Sequence, residues 1–364
     1  MPCLESNRMK TLKTKFVCSF VALSLAVTYY YIVKPFAMGT QGNGTNFWVF
    51  SAMSQSSPHL NTIYPVWRSR IGGMWISGKL VDSAVKDGQL RIEDAQQVFG
   101  IYHSAWLFLF FLMLIFFVDD PLFAITACFA CMLYMFTPKA SYYAYPWDIP
   151  GMTFFTLNYL LWRKKHYNSM LVVLFVGYFF KETIILSGVL FFFTDLTKWN
   201  KVRYLAATAA IALVMKVGIT LAIDGKISFV TNQFISGTQK NLFKDSTFFL
   251  NLKELTTPSL NHFIFVNGGT FIISLLLPMR TQIEKGTKAV IGLFSLAALL
   301  AGALNEFRIM LDILPISILA IREHLVNSSG NVLPAHVSDK RSPSKNERTG
   351  KAADSRKIAA NNKK

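Results

Sequence analysis

The sequence has little charge and few cysteines for its length. Only 16% of its 364 residues are charged, whereas soluble globular domains carry about 25%. Its four cysteines are too few for a disulfide framework. No Walker or Gly-x-Ser-x-Gly pattern occurs, and the histidines lack metal-ligand spacing. These absences exclude a disulfide-framed secreted module and an ordinary cytosolic enzyme.

Hydrophobic residues dominate instead, at 52% of the chain with a mean hydropathy of +0.36. Such a balance is typical of an integral membrane protein, in which each spanning helix takes about 20 apolar residues. We predict an all-α, polytopic transmembrane helix bundle with about ten membrane segments. In chain order these segments are 16–33, 98–118, 121–137, 151–162, 170–180, 183–194, 204–223, 263–279, 289–304 and 309–321.

Several of these segments are short. A run of about 12 to 17 residues cannot cross a hydrocarbon core of about 30 Å as a straight α-helix. We therefore expect broken or partial helices, which are tolerated where they border a protein-lined cavity. The first segment also has the basic start and apolar run of a signal peptide. Because no convincing small-x-small cleavage site follows, we interpret it as a retained span.

The net charge of +17 is concentrated in short loops and in the C-terminal tail. Basic clusters lie at 163–166, 198–203 and 280–288, and ten crossings place all of them on one side with the tail. This agrees with the positive-inside rule. We predict a multi-pass protein of the cell inner membrane, with both termini in the cytoplasm, membrane lipids as partners and no nucleic-acid partner.

Three regions follow from this pattern. They are a cytoplasmic N-terminal segment (1–15), a transmembrane domain (16–323) and a basic, disordered cytoplasmic tail (324–364). Large outer loops are expected at 34–97 and 224–262, and an amphipathic piece at 71–85 suits a helix at the membrane interface. The tail cannot bury a core, so its charge serves either contact with anionic lipid or solubility alone.

Ionisable residues interrupt the apolar runs at points that the alternation places on the outer side. Such residues are costly in a membrane and mark a functional site or a buried pair. Guanidinium and ammonium groups suit phosphate, and carboxylates suit a general base or a divalent cation. We expect them to line one outward-facing cavity, with substrate-binding residues Arg68, Arg70, Trp147, Lys181 and Arg308 and catalytic carboxylates Asp148, Glu182 and Glu306.

These residues also have a purely structural interpretation. Lys181-Glu182 would neutralise Glu306 and Arg308 across a helix interface and lock the bundle without chemistry. The arginines of the first outer loop would extend their heads to lipid phosphates, and the aromatic residues would anchor span ends at the interface. Asp148 lies between two prolines and would cap the helix that follows.

Four short motifs occur in a recognisable order. They are Trp67-Arg68-x-Arg70, Tyr145-Pro-Trp-Asp148-x-Pro150, Lys181-Glu182-Thr183 and Asn305-Glu306-x-Arg308. With these motifs, the chain resembles poorly characterised bacterial polytopic proteins that look like members of the GT-C superfamily of membrane glycosyltransferases. The resemblance covers roughly residues 16–322. It implies a polyprenyl-phosphate-linked sugar as donor and transfer on the extracytoplasmic side.

The sequence departs from that superfamily at one place. GT-C proteins generally carry a catalytic acid early in the first outer loop, whereas no acidic residue occurs here between Lys34 and Val81. Either the base has moved to one of the three carboxylates named above, or the protein lacks this chemistry, or the kinship is mistaken.

The leading hypothesis is an integral membrane glycosyltransferase-like protein that moves a sugar from a lipid-phosphate carrier to an acceptor. The arginines would hold phosphate, Lys181 would stabilise the leaving group, and Asp148 or Glu182 would activate the acceptor hydroxyl. A divalent cation remains a candidate cofactor. A transporter or flippase for a lipid-linked glycan uses broken helices and intramembrane charges equally well. A third hypothesis is a non-catalytic scaffold of an envelope-polysaccharide assembly that docks through its basic tail.

Overall fold

A computed structural model of the chain describes residues 2–33, 70–84, 91–135, 145–224, 269–278, 281–301 and 307–328. Within these ranges the chain is helical and contains no strand, so the all-α prediction is confirmed for them. The α-helices are α1 (Pro2–Val33), α2 (Ile71–Ala84), α3 (Ile92–Phe117), α4 (Pro121–Met135), α5 (Asp148–Arg163), α6 (Tyr167–Tyr178), α7 (Lys198–Asp224), α8 (Thr270–Leu276), α9 (Gln282–Ala301) and α10 (Leu314–Ser328). Two 3₁₀ segments, Glu182–Phe193 and Phe307–Asp312, accompany them.

Three stretches of helix are long and apolar enough to cross a membrane. They are Thr11–Ile32 in α1, Gln96–Phe117 in α3 and Lys198–Ala222 in α7. Much of α7 lies on the outside of the bundle, where Leu213 and Val214 are exposed. An apolar surface of this kind is suited to lipid rather than to water. The chain therefore has the helices of a membrane protein.

Each predicted apolar segment overlaps an observed element, but some boundaries differ, and residues 136–137, 263–268, 279 and 302–304 of these segments lie outside the described residues. Helix α3 begins at Ile92, before the predicted residue 98, because acidic residues in its first turn complement the positive end of the helix. The last predicted segment, 309–321, is broken at Ile313 into a 3₁₀ segment and α10. The amphipathic piece predicted at 71–85 is indeed a helix, α2.

At the N-terminal end, α1 already begins at Pro2, and the cytoplasmic location of residues 1–15 stays a prediction. The C-terminal end requires one correction. Helix α10 extends to Ser328, so residues 324–328 are helical and do not belong to a disordered tail. Residues 329–364 and most of both predicted outer loops lie outside the described residues. Contacts divide the chain into units Met1–Arg322 and Glu323–Lys364, and the features below belong to the first.

The bundle is held together by close packing of aromatic and aliphatic side chains. Helix α3 packs against α1, α2, α4 and α5. The 3₁₀ segment Glu182–Phe193 packs against α5, α6, α7 and α9. Phe155 of α5 and Phe294 of α9 are fully buried and meet edge to face. Because lipid tails are as apolar as these side chains, van der Waals contact rather than exclusion of water stabilises such an interface.

Polar contacts occur at both ends of α5. At its C-terminal end, Lys164 pairs with Asp119 at 3.9 Å. Close by, Lys165 and Tyr167 bind Asp195, and these hydrogen bonds lower the pKa of the Asp195 carboxyl below its ordinary value. At the N-terminal end of α5 lies Asp148, in the cluster described below. The 16 residues of α5 separate the two ends by about 24 Å.

The 3₁₀ segment Glu182–Phe193 runs between the same two ends with fewer residues. It has 12 residues, and a rise of about 2.0 Å per residue gives it a length of about 24 Å. Because its rise per residue is larger, the 3₁₀ segment is about as long as α5, although its small number of residues suggested only a partial helix. Runs of 3₁₀ helix beyond about four residues are uncommon, so this one depends on the packing around it.

We predict that Gly73→Ala destabilises the bundle. A Cβ at Gly73 of α2 would lie 2.9 Å from the Pro146 carbonyl oxygen and 3.2 Å from the Trp147 nitrogen. The clash is with backbone and should cost about 1–3 kcal/mol of unfolding free energy, measured by thermal unfolding in detergent. Gly218→Ala in α7 is the control, because no atom lies within 4 Å of its Cβ position and alanine favours the helix. Equal effects of the two substitutions would contradict the close approach.

Candidate functional site

Five charged side chains from four separate places in the chain gather at the N-terminal end of α5. Arg70 immediately precedes α2, and Asp148 is the first residue of α5. Lys181 and Glu182 stand where α6 gives way to the long 3₁₀ segment, and Asp312 ends the second 3₁₀ segment. Every one of these positions is an interruption between helices, so the cluster is built where the regular hydrogen-bond pattern stops.

The ammonium group of Lys181 lies between two aspartates. Its Nζ is 3.4 Å from Asp148 Oδ1 and 3.1 Å from Asp312 Oδ1. All three residues are buried, with exposed fractions of 4% for Lys181, 2% for Asp148 and 0% for Asp312. Charges that are buried this deeply are stable only when they are paired. The lysine therefore joins three segments that are distant in sequence.

Two small neighbours fix the geometry around this lysine. Thr183 donates a hydrogen bond from Oγ1 to Asp312 Oδ2 at 2.8 Å, so the second aspartate is oriented by the segment that carries Lys181. Gly151 makes room for the lysine side chain, since a Cβ there would lie 2.6 Å from Lys181 Cδ. A side chain at position 151 would push the lysine away from both carboxylates.

A tight turn before α5 orients Asp148. The Tyr145 N–H donates to Asp148 Oδ2 at 2.9 Å, and the Asp148 N–H donates back to the Tyr145 carbonyl at 3.0 Å. Tyr102 of α3 holds the same turn by donating its hydroxyl to the Pro146 carbonyl at 2.7 Å. The capping role considered for Asp148 is not what the structure shows. Its carboxylate binds an upstream N–H, and the N-cap residue of α5 is Trp147.

Arg70 and Glu182 form a second ion pair beside the first cluster. Arg70 donates from Nε and Nη2 to the two Glu182 oxygens at 3.1 and 2.9 Å. The guanidinium lies 5.1 Å from the ring of buried Trp147, close enough for a cation–π interaction. The Gly72 N–H donates to the Phe179 carbonyl at 2.8 Å and fixes the start of α2 against the end of α6.

The structure brings together the predicted residues that it describes. Among them, the partners of Lys181 are the two aspartates and the partner of Glu182 is Arg70. The turn before α5 and the start of α2 supply two of these partners, because both lie at this end of the bundle. The pairing of Lys181-Glu182 with Glu306 and Arg308, considered as a structural interpretation, falls on side chains outside the described residues.

Three predicted site residues remain undescribed. Arg68 and Glu306 lie outside the described residues, and Arg308 falls in the 3₁₀ segment Phe307–Asp312 without a described side chain. Their roles stay predictions.

Asp312 is the site residue that sequence reasoning missed. It stands alone between Leu311 and Ile313, in a run that is otherwise apolar from residue 309 to 316. An isolated carboxylate inside such a run is itself a signal of function or pairing. The more conspicuous Asn305-Glu306-x-Arg308 motif drew the prediction a few residues upstream.

The described cluster contains three carboxylates and two cations, which gives a formal charge of −1. Within the ranges that the structure covers, no group of three or more His, Cys, Asp or Glu side chains is arranged to hold a metal ion. The group between Asp148 and Asp312 is an ammonium. Two buried carboxylates around one lysine form an arrangement that can accept, hold and release a proton.

Comparisons with protein-family models, curated proteins and solved structures found no match to this chain. The function must accordingly be inferred from the chemistry of the cluster and from the short motifs in the sequence.

We predict that Lys181→Met strongly destabilises the protein. The substitution leaves the carboxylates of Asp148 and Asp312 buried without their shared cation, at a cost of about 3–5 kcal/mol. Adding Asp312→Asn removes one of the two like charges and should restore part of the lost stability in thermal unfolding. Lys164→Met, at the exposed end of the bundle, is the control and should change stability little. A double variant less stable than Lys181→Met would contradict the charge-pairing role.

Proposed function

We propose that this chain is a multi-pass membrane transferase of the GT-C type. It moves a glycosyl group from a lipid-phosphate carrier to an acceptor on the extracytoplasmic side of the cell inner membrane. The observation that carries the proposal is the buried Asp148–Lys181–Asp312 cluster, built at helix interruptions at one end of the bundle. Asp148 and Lys181 belong to the motifs through which the sequence resembles the superfamily.

The cluster supplies the groups that this reaction requires. The acceptor O–H attacks the anomeric carbon, the bond from that carbon to the phosphate oxygen breaks, and the lipid phosphate leaves with the bonding electrons. Asp148 or Asp312 takes the acceptor proton. Lys181 neutralises negative charge that develops on the departing phosphate. This assignment adds Asp312 to the carboxylates that the sequence suggested.

Arg70 and Glu182 have smaller roles in the proposed reaction than Lys181 and the two aspartates. Their carboxylate and guanidinium are bound to each other through two hydrogen bonds. Glu182 is therefore a weaker candidate for the base than either aspartate. Arg70 can still hold a phosphate oxygen with donors that Glu182 does not use, since guanidinium carries five N–H donors.

About ten membrane crossings are consistent with the way the segments connect the two ends of the bundle. Three helices have the length to cross alone. Shorter elements such as α5 and the 3₁₀ segment Glu182–Phe193 extend about 24 Å each. The basic residues Lys164 and Lys198 belong to the end opposite the cluster, which the positive-inside rule assigns to the cytoplasm.

A labelling experiment tests this topology. We predict that an impermeant thiol reagent modifies Lys164→Cys and Lys198→Cys from the cytoplasmic face of oriented vesicles. Ala222→Cys, at the far end of the same spanning stretch as Lys198, should react from the opposite face only. Cys3 is replaced by serine in all of these variants, and the native Cys18, Cys128 and Cys131, which are buried, provide the unlabelled background. Labelling of residues 198 and 222 from the same face would contradict a crossing by α7.

An activity assay tests the chemistry. We predict that Asp148→Asn or Asp312→Asn, whichever removes the true base, lowers sugar transfer by about 10²–10⁴. The donors would be radiolabelled polyprenyl-phosphate hexoses, and the acceptors those of native membrane vesicles. Glu182→Gln should have a smaller effect, and Glu306→Gln is measured beside it as the remaining sequence candidate. If both aspartate variants kept full activity, the assignment of the base would be wrong.

The transport alternative predicts a different result in the same vesicles. Broken helices beside intramembrane charges are typical of transporters, and the lysine-bridged aspartates adjoin a long 3₁₀ segment here. Translocation of the labelled lipid without a covalent product would favour a flippase. A scaffold of a polysaccharide assembly would show neither activity.

A further inference from the structure

Lys216 is a lysine inside a spanning helix that no step above uses. It lies in the apolar stretch Lys198–Ala222 of α7, six residues before its end, which is a distance of about 9 Å along the helix axis. Its side chain is partly buried. A charged residue at this depth is costly in a membrane unless a polar or oppositely charged group meets it.

The four other described lysines that are not exposed each bind an oxygen atom of the chain itself. Lys181 lies between two aspartates. The remaining three donate to backbone carbonyls, Lys15 to Phe116 at 3.1 Å, Lys201 to Phe192 at 3.0 Å and Lys288 to Leu275 at 2.6 Å. The chain thus normally supplies the acceptor for an ammonium group beside its apolar helices.

Lys216 differs from these lysines. Within the ranges that the structure describes, its ammonium group forms no hydrogen bond or ion pair. The elements that pack most closely against α7 are α6 and the 3₁₀ segment Glu182–Phe193. Their only carboxylate is that of Glu182, which Arg70 already binds through two hydrogen bonds. The acceptor for Lys216 therefore has to come from outside the described residues.

The surroundings of Lys216 suit a lipid molecule. Leu213 lies three residues earlier, on the same side of α7, and is exposed. A phospholipid beside α7 would place its hydrocarbon chain on Leu213 and its phosphate at Lys216. Lysines near the end of a spanning helix extend their ammonium groups to this phosphate layer. Because no described carboxylate offsets Lys216, a lipid with net negative charge is its best complement.

Lys216 lies at the height of the charged cluster. Thr208 of α7 meets the 3₁₀ segment at Gly188, where a Cβ would lie 2.5 Å from Thr208 Cγ2. The two elements run in opposite directions. From this contact the eight residues to Lys216 rise about 12 Å, and the six residues back to Glu182 also rise about 12 Å. A phosphate at Lys216 would therefore lie level with Glu182, beside the seam between α7 and the 3₁₀ segment.

We propose that Lys216 binds the phosphate of an anionic membrane phospholipid, in the leaflet that lies level with the charged cluster. The hydrocarbon chain of this lipid lies along α7, and its headgroup covers the seam between α7 and the 3₁₀ segment. The site is separate from the cluster and does not depend on which reaction the cluster performs.

Binding of phosphatidylglycerol to the full-length protein in dodecyl maltoside micelles, which contain no phosphate, tests the site. Native mass spectrometry gives the dissociation constant of the most tightly held lipid. We expect Lys216→Met to raise this constant at least about tenfold, because a charge-assisted hydrogen bond is lost, and Lys216→Arg to retain most of the affinity. Lys164→Met is the control, since Lys164 pairs with Asp119 at the other end of the bundle. Equal constants for the unmodified protein and Lys216→Met would overturn the proposal.

Two further lipids identify the ligand in the same assay. Diacylglycerol, which has the hydrocarbon chains without the phosphate, should bind at least about tenfold more weakly than phosphatidylglycerol. Equal binding would mean that the apolar surface alone holds the lipid, against the proposal. Polyprenyl phosphate tests the other source of a lipid phosphate. If it bound through Lys216 more tightly than phosphatidylglycerol, the site would belong to a lipid carrier and the assignment to a membrane phospholipid would be wrong.

A crosslinking measurement on the unmodified protein does not require any variant to fold. Phosphatidylglycerol that carries a diazirine next to its phosphate should label residues 213–220 of α7 on illumination, and an excess of unlabelled phosphatidylglycerol should suppress that product. Labelling that leaves this segment unmodified would contradict a phosphate at Lys216. In thermal unfolding, added phosphatidylglycerol should raise the melting temperature of the unmodified protein more than that of Lys216→Met, because a ligand of the folded state stabilises it.

Discussion

The ammonium group of Lys181, held between the buried carboxylates of Asp148 and Asp312, is the interaction on which the rest of this structure depends. It joins the start of α5, the start of the long 3₁₀ segment and the end of the second 3₁₀ segment. Each of these points is a break in helical hydrogen bonding. Buried ion pairs seldom add net stability, because desolvation cancels the attraction. What such a pair can specify is which segments meet, since any other pairing leaves a charge alone in an apolar interior.

The surrounding packing is shaped to admit that lysine. Gly151 leaves the space that Lys181 Cδ occupies, and Gly73 lets α2 approach the turn at Pro146. The ring of buried Trp147 lies beside the Arg70 guanidinium of the second ion pair. Small residues at helix contacts are a means by which a membrane bundle obtains close contact without relying on exclusion of water.

Much of the helical layout could be predicted from hydropathy, because each apolar run must bury its length in lipid or protein. The convergence of Arg70, Asp148, Lys181 and Glu182 could also be anticipated, since ions in apolar runs need partners. Which of these residues pair with each other could not be predicted from the sequence. The pairing depends on the positions of the turn at Tyr145–Trp147 and of the residue before α2, and those positions are set by packing rather than by local sequence. Asp312 was missed because one carboxylate in an apolar run carries less signal than the motif beside it.

The 3₁₀ geometry of Glu182–Phe193 could not be predicted from the sequence either. Hydropathy reports which residues are apolar but not the rise per residue, so a 12-residue run reads the same whether it is α-helical or stretched. Hence the short run was predicted to be a partial helix, whereas its extended form covers the height of α5. The hydrogen bond from Asn158 to Ser187 and the close fit of Gly188 against Thr208 supply the tertiary contacts that hold the stretched form.

The contrast between the two ends of the bundle supports the proposal that the cluster performs chemistry. At the end that carries Lys164, ion pairs are exposed, with side-chain exposures of 39% and 100% in its pair with Asp119. Exposed pairs hold ends together at almost no desolvation cost. The same bundle could have used such pairs throughout. At the other end it buries Lys181 and Asp312 to 5% and 0% side-chain exposure, in a setting where apolar residues of similar volume would be as stable or more so. A costly arrangement kept at one end, beside a cheaper solution at the other, is expected where the charges themselves perform chemistry.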